Sequence, residues 1–195
     1  ASTVTEISHS GERRAEPTVA SSEAELRDFV ERARAEAWTA LAIVPHHNKA
    51  HRLLGDGWDA SAMVITSDRS AASVLDIVGT TSSLRRLAIV GNRIGDAGAA
   101  ALAEAIRLGG LTTLDLGWNA IGETGAAALA KATHLDRLTT LDLGGNNLGD
   151  AGAAALAKAT HLGSLTTLHL RGNNLGAAGA AALAKATHLG SLTTL

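Results

Sequence analysis

The chain contains no cysteine and no tyrosine, and only 2% of its residues are aromatic. Without cysteine there are no disulfide caps, no thiolate metal sites and no cysteine nucleophiles, and the redox compartment is left open. With so few aromatics, burial has to come from many small contacts between alanines and leucines. No apolar run approaches the roughly 20 residues of a membrane helix, and no cleavable signal of basic, apolar and small-residue blocks is visible. A formal net charge of -2 provides no overall field for phosphate backbones, so nucleic acid is not an expected partner. With 46% hydrophobic and 18% charged residues, the 195-residue chain reads as one folded unit. It opens on Ala1, not Met, which points to a trimmed piece.

What is present is repetition. LTTLDLGGNNLGDAGAAALAKATHLGS starts at Leu138 and is restated from Leu165, a period of 27 residues, with differences only at Asp142/His169, Gly144/Arg171 and Asp150/Ala177. Looser copies begin at Leu84 and Leu111, and a fifth stops at Leu195. A fixed period of this length predicts a solenoid.

Residues 1–20 show no sustained apolar period and read as a flexible leader. Residues 21–83 read as an N-terminal cap followed by degenerate layers. Ser22 and Glu25 form a capping box before a helix anchored by Phe29 and Trp38, and AWTALAIVP (37–45) and DASAMVITS (59–67) read as strands. Residues 84–195 are the regular repeats. In Leu114-Asp115-Leu116, period-two alternation turns both leucines inward and the aspartate outward. Gly125, Leu129, Ala132 and Leu135 recur at spacings of four and three, one face of a short helix. Strands stack about 4.8 Å apart and helices about 8–10 Å apart, so the stack bends with its strands on the inner curve.

Leu-x-x-Leu-x-Leu-x-x-Asn followed by Gly-Ala-Ala-Ala-Leu-Ala resembles the leucine-rich repeat of the ribonuclease-inhibitor-like subclass. Its closest likeness in motif is the GALA-type effector repeats of plant-pathogenic bacteria. The resemblance implies an α/β horseshoe segment, with parallel strands on the concave face and helices on the convex face. It further implies that Asn92, Asn119, Asn146 and Asn173 form an amide ladder satisfying buried backbone groups. It also suggests a bacterial protein secreted into the host cytoplasm, although nothing about ribonuclease binding carries over.

The concave columns are mostly small: Arg86, Thr113, Thr140, Thr167 and Thr194; Ala88, Asp115, Asp142 and His169; Val90, Gly117, Gly144 and Arg171; Gly91, Trp118, Gly145 and Gly172. The exceptions to repetition, Arg86, Asp115, Trp118, Asp142, His169 and Arg171, are the expected partner-binding residues, since Trp and Arg dominate binding hot spots. The blander reading of Trp118 is a cover over its neighbouring glycines. Two acids on an open curved sheet lack the enclosure that general-acid work needs, and no G-x-S-x-G, P-loop or G-x-G-x-x-G motif is present, so no catalytic residues are expected in this segment.

His134, His161 and His188, with Arg107 in the equivalent place, read as a solvated convex column, and Lys131, Lys158 and Lys185 as solubilising charges or a basic strip for a membrane. His47 and His51, beside His46, have a spacing usable for zinc, but no third ligand stands out, and neither metal nor cofactor is expected. The sequence therefore predicts a non-enzymatic module that binds a protein partner of a host cell. The alternative is the recruiting domain of a larger effector enzyme, such as a ubiquitin ligase, an F-box protein or a Fic-type nucleotidyl transferase. LTTL at 192–195 presents an open strand edge, from which end-to-end self-association is expected.

Overall fold

The computed structural model describes residues 84–105 and 108–195, together with the backbone of four earlier strands, β1 (Ser2–Thr5), β2 (Thr18–Ala20), β3 (Ala40–Val44) and β4 (Ala62–Thr66). The expected cap helix from Ser22, the histidines at 46, 47 and 51, and Arg107 lie outside the described residues. The regular repeats supply β5 (Arg86–Ile89), β6 (Thr113–Asp115), β7 (Thr140–Asp142) and β8 (Thr167–His169). They alternate with helices α1 (Gly95–Glu104), α2 (Glu123–Leu129), α3 (Gly149–Leu156) and α4 (Ala177–Ala184).

All eight strands join one sheet in the order β2-β1-β4-β3-β5-β6-β7-β8. From β3 to β8 in that order the pairing is parallel and strictly in repeat register: Leu87, Leu114, Leu141 and Leu168 align, as do Ala88, Asp115, Asp142 and His169. β4 lies on the far side of β3, parallel to it, and not between β3 and β5. β3 and β4 therefore do not follow one another in the stack in chain order. β1 and β2, within residues 1–20, extend the sheet antiparallel.

The core is the product of identical phase. Leu114, Leu116, Ile121, Leu129, Leu135 and Leu138 are buried in the second layer, and Leu141, Leu143, Leu148, Leu156, Leu162 and Leu165 repeat them in the third. Gly98, Gly125, Gly152 and Gly179 are buried small positions of the helices, and the last three let α2, α3 and α4 approach the layer before. At Gly152, a Cβ would come within 3.1 Å of Ala126 Cβ.

The helices are shorter than the apolar spacing suggests. α2 ends at Leu129, Ala132 takes a non-helical backbone (φ -78, ψ 71), and Leu135 enters the core from a separate 3-10 turn, Thr133–Leu135. The same break precedes the turns Thr160–Ser164 and Thr187–Leu189. One apolar face thus spans two elements, because burial constrains where a side chain ends up and not the hydrogen-bond pattern that brings it there.

Candidate functional site: the concave groove

Each of β5 to β8 is followed by a turn that carries the asparagine column, with Asn119, Asn146 and Asn173 buried and Asn92 half-buried. Asn146 shows the arrangement: its Nδ2 donates to Leu116 O (3.0 Å) and Leu143 O (2.8 Å), and its Oδ1 accepts from the backbone N–H groups of Asn119 and Ile121 (both 3.0 Å). Asn119 binds the carbonyls of Ile89 and Leu116 in the same way and accepts from Asn92 N–H, while Asn173 donates to Leu143 O and Leu170 O. The amides of Asn119, Asn146 and Asn173 bridge neighbouring layers, which satisfies turn groups that have no ladder partner, while the Asn92 amide donates to Val90 O in its own turn.

The ladder holds the next column in a left-handed backbone. Gly91, Gly145 and Gly172 have φ of 70°, 68° and 72°, and Trp118 has φ 59° in the same place. Three layers fill this position with the residue that adopts it without strain, and one fills it with tryptophan. The indole lies on Gly145: a Cβ there would stand 2.5 Å from Trp118 Cδ2 and 2.7 Å from Cε2. Trp118 does cover a glycine, yet it remains 68% exposed.

The structure gathers five of the six expected contact residues, Asp115, Trp118, Asp142, His169 and Arg171, around one groove of about 530 Å³ floored by glycines. Arg86 is half-buried and does not line it. Ala88 and Val90 of the first layer are buried, and Val90 lines the groove at its first-layer end. Within the groove, Asp115 Oδ1 accepts from Gly117 N–H at 2.9 Å and Asp142 Oδ1 from Gly144 N–H at 2.7 Å. Burial pushes the Asp115 carboxyl from 3.8 up to about 6, and Asp142 pushes the same way. The Gly117 N–H and His169 act in the opposite sense. The groove contains carboxylates, an imidazole and a guanidinium, but no Ser or Cys nucleophile among its lining residues. Among the described residues no group of three or more His, Asp or Glu converges as for a metal ion, and no helix is long and apolar enough to cross a membrane.

Two features escaped the sequence reading. The first is an aspartate that caps the helix of the following layer. Asp96 on α1 accepts from Gly122 N–H (2.6 Å), Gly125 N–H (2.9 Å) and the Thr124 hydroxyl at the start of α2. Asp150 on α3 does the same for α4, through Gly176 N–H (2.8 Å) and Gly179 N–H (2.7 Å). The Thr124 hydrogen bond holds the Asp96 carboxyl below its ordinary range, with help from the two N–H groups and against partial burial. The difference Asp150/Ala177 between the near-identical copies is thus structural. Its visible signal was the recurrence of Asp at the same phase two layers apart.

The second concerns the convex histidines, which are not a solvated column. His134, His161 and His188 are half-buried, and their Nε2 atoms are enclosed without a hydrogen-bond partner. Burial pushes His134 and His161 below 6.5, and Asp136 opposes it at both. Lys131, Lys158 and Lys185 are exposed as expected.

A family model for the leucine-rich repeat matches residues 81–103, 111–130, 138–157 and 161–184. Among solved structures, the chain is similar to an internalin from Listeria monocytogenes, with 20% identity over 60% of this chain and 42% of that one and a TM-score of 0.31. The chain therefore spans less than half of that structure's length. The search of curated proteins found no match. The matched segments coincide with the layers whose leucines, asparagine ladder and parallel register are described above, and these layers form a leucine-rich repeat solenoid.

Proposed function

We propose that this chain is a non-enzymatic protein–protein interaction module that binds its partner in the concave groove around Trp118, as part of a bacterial effector secreted into a host cell. The observation that carries the binding reading is the backbone at Trp118. The fold calls for glycine there, as at Gly91, Gly145 and Gly172, and a side chain at φ 59° costs about 1–2 kcal/mol. Strain of this kind gathers at functional sites. Arg93, Ala120 and Asn174 share the left-handed backbone two residues further along the turn, but Trp118 alone among these four is a large exposed aromatic, the type that anchors interfaces, on the concave face that solenoids use for binding. The effector reading is supported by the Gly-Ala-Ala-Ala-Leu-Ala segments at 98–103, 125–130, 152–157 and 179–184.

The test uses the wild type and Trp118→Ala, matched for fold by circular dichroism, as baits in plant-cell lysate. A specific partner should be retained at least tenfold better by the wild type. Equal recovery of every captured protein by the two baits would sink the assignment.

A further inference from the structure

The groove has a definite chemistry at its centre. Asp115 and Asp142 are register neighbours on β6 and β7, and their Oδ1 atoms converge on Gly117. A Cβ built on Gly117 would stand 3.3 Å from Asp115 Oδ1 and 3.9 Å from Asp142 Oδ1. Glycine therefore keeps a side chain from crowding the two carboxylates. Each Oδ1 receives one backbone N–H, and His169, the register neighbour of Asp142, is the positive group that acts on Asp115. The Trp118 ring closes the neighbouring side of the same groove.

Each class of occupant can be weighed against this arrangement. An anion is repelled by the acids, and a neutral group leaves the repulsion between two adjacent carboxylates in place. A metal ion finds only two ligating side chains at this point, and no larger group converges among the described residues. An ammonium or guanidinium offers three to five donors with no acceptor, neutralises the acids, and is attracted to the face of an indole. His169 and Arg171 on the β8 side confine a cation to the β6–β7 half.

We propose that the groove captures a lysine or arginine side chain of the partner protein, its charged head between Asp115 and Asp142 and its stem along Trp118. This rests on the concave-face reading above. It makes the partner segment basic, although the chain as a whole carries almost no net charge.

Random dodecapeptides displayed on phage and selected on the immobilised full chain are the probe. The selected peptides should be enriched in Lys and Arg over the starting library. A synthetic copy of the leading peptide should bind at least tenfold more weakly to D115N/D142N, which keeps both acceptor oxygens, and replacing its basic residue with norleucine should weaken binding equally. The peptide-side substitution decides the matter even if the protein variant folds poorly. Peptides that lack basic residues yet lose binding in W118A overturn the cation assignment and leave the concave surface standing. Peptides indifferent to W118A and to D115N/D142N, or no enrichment at all, overturn both.

Discussion

Asp115→Asn isolates the electrostatic cost of the groove. The amide keeps an oxygen for the Gly117 N–H at 2.9 Å and nearly the same shape, but carries no charge. In the folded chain the carboxyl ionises near 6 instead of 3.8, so between these values the native state binds a proton that the unfolded chain releases. A carboxyl raised in this way removes stability as pH rises through that window, and the penalty is complete above it. The gap from 3.8 to about 6 corresponds to about 3 kcal/mol. That figure already includes the Gly117 N–H hydrogen bond, which favours the charged form. D115N should therefore be more stable than the wild type by about 3 kcal/mol near pH 7.5, and the advantage should shrink to about 0.5 kcal/mol near pH 4. Urea denaturation followed by circular dichroism at both pH values measures it. A destabilised D115N near neutrality, or an equal advantage at both pH values, would refute the reasoning.

Three further outcomes follow from the same geometry. Trp118→Gly should be more stable than Trp118→Ala by about 1 kcal/mol, because only glycine relaxes at φ 59°; equal urea midpoints would remove the strain argument. Asn146→Ala should cost about 4 kcal/mol, since it strands the carbonyls of Leu116 and Leu143 and the N–H groups of Asn119 and Ile121, and a loss below about 1 kcal/mol in the same assay would contradict the ladder's role. Burial holds His134 and His161 below 6.5, so on acidification the unfolded chain takes up protons first, and the stability present above that value is lost as pH falls through it. Replacing both histidines with glutamine should flatten the loss of melting temperature between about pH 6.5 and pH 5, and an unchanged slope would count against their enclosure.

Most of the repeat architecture is legible without coordinates, because period, alternation and turn residues all point to one layered answer. The concave columns are read directly from the strand phase, which is why Asp115, Trp118, Asp142, His169 and Arg171 meet in one groove. The left-handed backbone at Trp118 was half visible: the glycines at 91, 145 and 172 mark a special position, but glycine also marks close packing, and only φ separates the two. The caps by Asp96 and Asp150 reach 26 to 29 residues forward to another layer, beyond any local capping pattern. The convex histidines defeated the reading because they follow a break in the helix. Their enclosure depends on the 3-10 turns and not on a helical wheel. The placement of β4 outside β3 is a long-range pairing choice that alternation within either strand leaves open.

The central claim is that the partner sits in the concave groove. Hydrogen–deuterium exchange of the chain, alone and saturated with the partner recovered on the wild-type bait, tests it most directly. Protection gained at 113–118, 140–145 and 167–172, with the turns at 133–135, 160–164 and 187–189 unchanged, is the predicted result. Protection confined to those convex turns would contradict it.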